Sequence, residues 1–440
     1  MNRRLALTFG LCTLLSSSLA RAQAGQAAGP STDVAIGYQG LPRTAAAEAP
    51  NGIQVAEGVV MHVGAGAETG YDTNVFYAPS DSASKIGSGI LRATGFVKIS
   101  NASRTGQSPS GLAFGAGADL RYRRYLSEAA SLDSYRNTFM PGANLGLSLN
   151  SGQFAFAFVD SFVRLEDTPY VVGQESFIRD NNSASVEGRW SPGGGRLSST
   201  LRYSNIIDIY ESQDLKPAST LSHIMLLDVS WKWLPKTALF LQASQGYITY
   251  LYDAPPGTPN KVPSLPLRVF AGLRGLITPR VAGLLSLGYM NGFYESGATT
   301  KGVFGHTYIQ AQATITPTLV SRIVLGYKHD FTNSVIGNFS YDDAVYASYG
   351  HQLAGRVAVD ISGRYIRRNY QGTMLPRVDH AFTAGAVVDY YPRNWIYAGL
   401  GYSLFSNATD ATVTAGMPGA PPIPLDYIKQ QFFVRLGITY

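Results

Sequence analysis

The sequence contains one cysteine, Cys12, and only 15% of its 440 residues are charged. Cys12 lies in an apolar stretch near the start, so the residues after it offer no thiol for a disulfide or a thiolate metal site. Beyond that stretch the chain lacks the roughly 20 consecutive apolar residues that a membrane-spanning helix needs. These shortages exclude a small disulfide-stabilised domain and a helical membrane protein.

The chain begins with the pattern of an exported protein. A basic start precedes an apolar stretch from Leu5 to Leu15, and small residues follow at Ala22 and Ala24. This combination is typical of a signal peptide, and the apolar stretch is too short to span a membrane. We therefore predict that residues 1–24 are a cleaved signal peptide and that the mature chain leaves the cytoplasm.

The charge balance argues against a nucleic-acid partner. The full chain carries a net charge of +6, and the loss of Arg3, Arg4 and Arg21 with the signal peptide would lower it by three. The remaining basic residues stand singly along the chain, whereas a phosphate-binding face needs a cluster. We expect no nucleic acid among the partners.

Residues 25–54 are rich in alanine, glycine and proline without periodicity, which predicts a flexible periplasmic segment. From residue 55 to residue 440, segments of about ten to fifteen residues alternate apolar and polar side chains. Between Leu112 and Arg123, for example, the charged residues all share one face. A wall with lipid on one side and water on the other requires this alternation. The sequence therefore predicts an all-β fold, a transmembrane antiparallel barrel of the outer membrane over residues 55–440.

The connections between these segments alternate in length. Short connections carry turn residues, as at Pro192–Gly195 and Thr316–Thr318, and nine connections are longer. Barrels of this kind turn their short connections to the periplasm and their long loops to the exterior. Nine long loops predict about eighteen strands, although sixteen also fits the pattern.

Two groups of residues are expected to contact the membrane or its assembly machinery. Trp231, Trp233, Tyr390 and Trp395 lie beside short turns, where an aromatic belt anchors a barrel in outer-membrane lipid. The last segment resembles the C-terminal signal that the outer-membrane assembly machinery recognises, because apolar residues alternate and the final residue is aromatic. The residues of this predicted signal are Phe432, Val434, Leu436, Ile438 and Tyr440.

The charged face of the segments predicts the side chains that line the lumen. Most of them are basic, which favours an anionic cargo, but charges that pair with one another in an inert interior fit the sequence equally well. The candidates are Arg92, Lys98, Asp119, Arg121, Arg123, Arg202, Asp228, Lys232, Arg268, Arg274, Arg322, Lys328, Asp360, Arg364, Arg368, Asp389 and Arg435.

One segment breaks the alternation. Between Phe154 and Arg164, four phenylalanines have the same parity as Asp160 and Arg164. Either a β-bulge resets the pattern, or the aromatic rings face the lumen, where rings suit the C–H faces of sugars.

Catalytic and metal-binding patterns are scarce. His329, Asp330, Asp342 and Asp343 end one segment and begin the next, which is similar to the Asp/His and Asp/Asp couples of outer-membrane aspartyl-type proteases. Solvated charges at a loop edge are the simpler interpretation. The histidines lack metal-ligand spacing. We expect no catalytic residue, no metal and no cofactor, and therefore no enzyme.

The segment from Gly66 to Phe76, GAETGYDTNVF, resembles the GYDSNVF pattern of a β-barrel porin family, with Thr73 in place of serine. Members of that family accompany exopolysaccharide export systems. The resemblance implies a passive outer-membrane channel for polysaccharide export, with periplasmic export proteins as partners. The alternative is a general diffusion porin for small, including anionic, solutes. Such a porin usually carries one long loop folded inward, and no loop here is plainly long enough, which favours export.

Overall fold

The computed structural model describes residues 52–79, 85–101, 111–133, 135–166, 178–213, 215–253, 261–295, 306–334, 338–371, 377–410, 412–414, 422–424 and 426–440. The predicted signal peptide and nearly all of the predicted periplasmic segment lie outside these residues. Across the described ranges, no helix is long and apolar enough to cross a bilayer.

Eighteen long strands form one closed antiparallel barrel, which confirms the predicted fold class. Each strand pairs with the next along the chain, and β21 pairs with β2 to close the sheet. Closure leaves no strand edge unpaired, as a wall in lipid requires. The barrel strands are β2 (Val59–Asp72), β3 (Ser88–Ser100), β4 (Leu112–Tyr125), β5 (Asn137–Ser151), β6 (Phe154–Glu166), β7 (Ile178–Trp190), β8 (Leu197–Tyr210), β9 (Thr220–Leu234), β10 (Thr237–Tyr250), β11 (Leu267–Thr278), β12 (Val281–Asn291), β13 (His306–Thr318), β14 (Ser321–Asn333), β15 (Phe339–Leu353), β16 (Val357–Gln371), β17 (Arg377–Arg393), β18 (Ile396–Thr409) and β21 (Tyr427–Thr439).

Within the described residues, three short strands accompany the barrel. β1 (Ile53–Ala56) pairs with the first residues of β2, and β19 (Thr412–Thr414) pairs with β20 (Pro422–Pro424) in the last long connection. Strand pairing therefore begins at Ile53, two residues before the predicted start of the barrel. Four residues are too few for their alternation to be recognised in a sequence, which explains the difference.

One periplasmic turn lies later than the sequence predicts. The pattern places it at Thr316–Thr318, whereas β13 continues to Thr318 and the turn is formed by Leu319 and Val320. Pro317 has no N–H to donate to the ladder, and the register shifts beside it, between Ile315 and Thr318. The strand end accommodates the proline in this irregularity.

The last strand shows how the wall divides its side chains. The predicted assembly-signal residues are about half exposed, from 49% at Phe432 to 58% at Leu436, whereas Phe433 and Arg435 between them are each 3% exposed. Outward side chains thus form an apolar surface for lipid, and inward side chains pack on the inner wall. Recognition of this strand by the assembly machinery stays a prediction. The aromatic residues beside the short turns are exposed in the same way: Trp231, Trp233, Tyr390 and Trp395.

Strand β6 differs from both interpretations of its irregular pattern. It pairs with β5 and β7 without a register shift, so its described residues contain no bulge. Phe154 and Phe156 are more than half exposed, which places the phenylalanines on the outer face and not in the lumen. Asp160 and Arg164 share that outer face. Local polar partners hold them there, and the Asn182 amide donates to Asp160 at 3.0 Å.

A buried ion pair joins the two strands that close the barrel. The Lys429 ammonium lies 2.9 Å from the Asp72 carboxylate, and their side chains are 3% and 0% exposed. Gln431 donates to the same carboxylate at 2.7 Å, and the backbone N–H of Asn74 donates to it at 2.9 Å. Asp72 belongs to the GYDTNVF segment, so this motif links the first barrel strand to the last at their extracellular ends.

Removing one member of this pair should weaken the closure of the barrel. Lys429→Met leaves the Asp72 carboxylate buried without its cation, and we expect it to lower the free energy of unfolding by about 3 kcal/mol. The midpoint of heat unfolding, measured from the gel shift between folded and unfolded barrel, should fall. As a control, Asp133→Asn breaks an exposed loop pair with Arg136 and should cost no more than about 0.5 kcal/mol. Equal midpoints of heat unfolding for the two variants would show that the pair of Asp72 and Lys429 does not stabilise the closure of the barrel.

Candidate functional site: the lumen and its two mouths

The structure places the predicted lumen residues on the inner face, where they alternate with exposed apolar side chains. Many of these charges meet an opposite charge on the same strand or on a strand one to three places away in the sheet. Arg368, for example, donates two hydrogen bonds of 3.0 and 2.9 Å to Asp342. The other pairs that involve predicted residues are Arg92–Glu68, Arg121–Asp119, Arg202–Glu187, Arg268–Asp330, Lys328–Asp330, Arg274–Asp228 and Arg435–Asp389.

Several acids of this network were not among the predicted lumen residues. Glu68, Glu187, Asp330 and Asp342 all have the inward parity of their strands, which is the signal that would have found them. Because these carboxylates offset neighbouring cations, the middle of the lumen is polar without a large excess of either charge.

Aromatic rings lie against the inner wall over glycines. A Cβ added at Gly326 would overlap the Tyr346 ring, and one added at Gly272 would overlap the Phe240 ring. Only glycine fits at these two positions, because a ring from the neighbouring strand occupies the space of a side chain. Large rings therefore line the lumen while staying close to the wall.

One part of the inner wall combines rings with cations. The guanidinium of Arg274 lies 4.9 Å from the Phe240 ring centroid, and that of Arg268 lies 4.0 Å from the Phe331 centroid. Such stacking holds a cation at a defined place on the wall. The buried residues that pack together here are Phe240, Phe270, Met290, Tyr308, Phe331 and Phe339.

The connection after β2 folds into the extracellular mouth. Val75 and Phe76 are buried in a cluster with inward-facing residues of β3, β4 and β21. The Lys429 ammonium lies 3.9 Å from the Tyr77 ring centroid, and the Asn74 side chain donates to a carbonyl of β21 at 3.2 Å. Loop length gave no sign of this inward packing, and the apolar pair Val75 and Phe76 inside a polar loop was the informative signal.

Two further connections make contacts at this end. Lys261, in the connection after β10, donates to the Ser334 carbonyl at 3.0 Å. Tyr294, in the connection after β12, stacks its ring on Phe339 with centroids 4.9 Å apart. Burial lowers the pKa of Lys261 to about 7 and raises the pKa of Tyr294 well above its usual value. Lys261 therefore loses part of its charge near neutral pH, which limits the positive charge at the extracellular mouth.

The periplasmic mouth differs from the middle of the lumen because its basic residues are exposed. Lys98, Lys232 and Arg322 take inward positions at the periplasmic ends of β3, β9 and β14. Glu57 and Asp360 are the exposed acids among the described residues at this end. Exposed turn and strand-end residues extend the basic ring: Arg189, Arg196, Lys236, Arg280, Arg356 and Arg393.

The four residues considered as a catalytic arrangement are divided between the two faces of the wall. His329 and Asp343 lie on the outer face with a contact of 2.7 Å. Asp330 and Asp342 lie on the inner face, where Arg268 and Arg368 pair with them. Strand alternation separates the two sets, so they share no substrate position. In the part of the chain that the structure describes, no group of three or more metal-ligating side chains is assembled.

A closed antiparallel barrel with an apolar outer face and a polar inner wall is a transmembrane β-barrel of the outer membrane. No family model matches the chain, and no curated protein matches it. The resemblance to the porin family of exopolysaccharide systems therefore rests on residues 66–76 alone.

Several solved structures are similar to the chain. OccAB4 of Acinetobacter baumannii is 11% identical, with 86% of this chain and 98% of that chain covered and a TM-score of 0.45. The outer membrane protein opdK of Pseudomonas aeruginosa is 11% identical, with 86% and 99% covered and a TM-score of 0.45. A mutant of the ferric enterobactin receptor PfeA of Pseudomonas aeruginosa is 8% identical, with 86% and 80% covered and a TM-score of 0.45. Because these identities and TM-scores are low, the assignment of the fold depends on the strand pairing of this chain and not on the similarity.

Releasing the inward loop should widen the extracellular mouth. Phe76→Ala removes about 3 kcal/mol of packing against the inner wall, so we expect a higher single-channel conductance in planar bilayers. Phe139→Ala removes an exposed outward ring near the same end of the barrel and should leave the conductance unchanged. Equal conductance of the Phe76 variant and the unmodified chain would show that this loop does not restrict the path.

Proposed function

We propose that this chain is a passive diffusion channel of the outer membrane for small polar solutes, with a preference for anions. The observation that carries the proposal is the contrast between a charge-paired lumen and an exposed basic ring at the periplasmic mouth. The inward loop after β2 supports diffusion of small solutes over passage of a bulky chain, because it occupies part of the extracellular mouth.

The proposed mechanism needs no chemical step. A barrel of eighteen strands has a backbone diameter of about 35 Å, so a water-filled path remains after side chains line it. Paired charges such as Arg368 and Asp342 hydrate the path without trapping an ion. The excess of exposed basic residues at the periplasmic mouth raises the local concentration of anions. The difference in solute concentration across the membrane sets the direction of transport.

Neutralising the basic ring should reduce anion preference. In a variant with Lys98→Gln, Lys232→Gln and Arg322→Gln, we expect the chloride-to-potassium permeability ratio to fall roughly twofold or more. Reversal potentials in a potassium chloride gradient measure this ratio. The difference should shrink at about 1 M salt, where the screening length is about 3 Å. Arg124→Gln removes an exposed cation that faces outward on β4 and is the matched control. Cation selectivity of the unmodified channel would contradict the anion preference.

A second candidate function is export of a polysaccharide. Its support is the set of rings that lie against the inner wall, such as Tyr346 and Phe240, because sugar C–H faces stack on aromatic rings. The basic periplasmic mouth would then collect an acidic polymer before it enters the barrel. Periplasmic export proteins would be the partners in this case, and polymer synthesis would provide the direction.

A strain that lacks this chain separates the two functions. Diffusion predicts unchanged surface polysaccharide and slower uptake of small organic anions, with uptake restored by a re-introduced copy. Export predicts that surface polymer disappears, accumulates in the periplasm and returns on complementation. Both quantities should be measured in the same strain, and loss of polymer with normal uptake would replace the diffusion proposal by export.

A further inference from the structure

The outer face of β14, β15 and β16 carries a group of polar side chains on a wall that is mostly apolar. His329, Asp343 and Arg367 stand opposite one another on these three strands and take outward positions. The Tyr327 hydroxyl donates to Asp343 Oδ1 at 2.8 Å, and His329 Nδ1 lies 2.7 Å from the same oxygen. We call His329, Asp343 and Arg367 the outer polar group.

The outer polar group lies at the extracellular boundary of the lipid. Arg367 and Asp343 are each ten residues from the periplasmic ends of β16 and β15, and His329 is eight residues from that of β14. For strands tilted by about 40°, these separations correspond to about 25 Å and about 20 Å along the membrane normal. The apolar band of such a barrel is about 25 Å tall. The group is therefore at the level where the headgroups of the outer leaflet begin.

Arg367 provides a cation at this level. Its side chain is exposed, and no ion pair of the described residues includes its guanidinium. Arg164, the outward guanidinium of β6, instead pairs with Asp180 and Glu211. A guanidinium offers a planar set of donors that matches the oxygens of a phosphate group. The charge of Arg367 is therefore complementary to a phosphorylated headgroup.

Asp343 adds an acceptor beside this donor. Both of its hydrogen bonds use Oδ1, so Oδ2 can accept from a hydroxyl group of a ligand. A carboxylate repels a phosphate placed directly against it. The pair of Arg367 and Asp343 therefore fits a ligand that carries a phosphate and, a few ångströms away, hydroxyl groups, which is the chemistry of a phosphorylated sugar.

An apolar groove of about 730 Å³ runs along the outer wall below the outer polar group. Its lining includes Leu285, Leu325 and Val345, which are 49%, 46% and 54% exposed on the outer face. Gly283 and Ala313 lie between these larger side chains and pair with each other in the ladder. The small residues hollow the wall, and a hollow at the depth of the lipid is a place for an acyl chain.

The groove and the outer polar group form one continuous surface. Tyr327 and Val345 line the groove, and each lies two residues toward the periplasm from His329 or Asp343 on the same face of the same strand. The surface is thus polar at the level of the headgroups and apolar below it. A lipid of the outer leaflet has its headgroup and acyl chains in this order, whereas a free sugar phosphate would leave the groove empty.

We infer that the outer face of β11 to β16 binds a phosphorylated glycolipid of the outer leaflet. Its phosphate contacts Arg367, a sugar hydroxyl donates to Asp343, and one acyl chain occupies the groove. The polar contacts provide the specificity, because apolar surfaces gain little by leaving the surrounding lipid. The inference is independent of what passes through the barrel.

Binding of a defined probe to the purified full chain tests the inference. The chain is delipidated in detergent and titrated with diphosphoryl lipid A, and native mass spectrometry measures the bound lipid. Arg367→Gln should raise the dissociation constant about tenfold, because a charge-assisted contact is lost. Arg124→Gln removes an exposed outward cation of β4 and, as the matched control, should leave the constant unchanged. An unchanged constant in Arg367→Gln, or an equal rise in Arg124→Gln, overturns the inference.

The same titration with other probes tests the chemistry of the ligand. Dephosphorylated lipid A should bind the unmodified chain about tenfold more weakly than diphosphoryl lipid A, and phosphatidic acid, which has no sugar, should also bind more weakly. If dephosphorylated lipid A binds as tightly as the diphosphoryl form, the phosphate contact is excluded. If phosphatidic acid does so, the preference for a glycolipid is excluded.

Filling the groove tests the place of the acyl chain. Ala313→Leu puts a larger apolar side chain at a lipid-facing position, so the barrel should stay folded by the gel shift on heating. The dissociation constant for diphosphoryl lipid A should rise about threefold or more, because the side chain takes the space of the acyl chain. Ala118→Leu, at an outward position of β4 away from the groove, is the matched control. Equal constants for these two variants overturn the inference.

Discussion

The structure depends on one constraint, the need of every backbone N–H and C=O group in the membrane to find a partner within the protein. In lipid an unpaired group costs several kcal/mol, so a sheet there must close on itself. The closing contact is the pairing of β2 with β21, and the buried pair of Asp72 and Lys429 secures its extracellular end. The GYDTNVF segment thus has a structural role at the seam.

Closure also determines where charge can lie. Because one face of each strand contacts lipid, most charged side chains of the described strands turn inward, and the sheet brings them within reach of one another. Pairs such as Arg368 and Asp342 are the result. Among the described residues, the basic side chains that remain exposed in number lie at the periplasmic mouth, which makes that mouth the part of the path where ion preference is expected to arise.

The outer wall tolerates departures from this division where polar groups find local partners. Asp160 faces lipid, and the Asn182 amide of the neighbouring strand donates a hydrogen bond to it at 3.0 Å. The outer face and the lumen therefore follow from the same alternation but serve different contacts.

The sequence alone determined the barrel and its polarity and reduced the strand number to eighteen or sixteen, because period-two alternation and connection length are local properties. It also nominated basic residues such as Arg92 and Arg368, but not their partners, since pairing depends on the register between strands. Tertiary structure decided that the loop at Phe76 folds inward and that Asp160 faces outward. Both depend on contacts with residues that are distant in the chain, Phe433 for the loop and Asn182 for the carboxylate, and no local pattern contains that information.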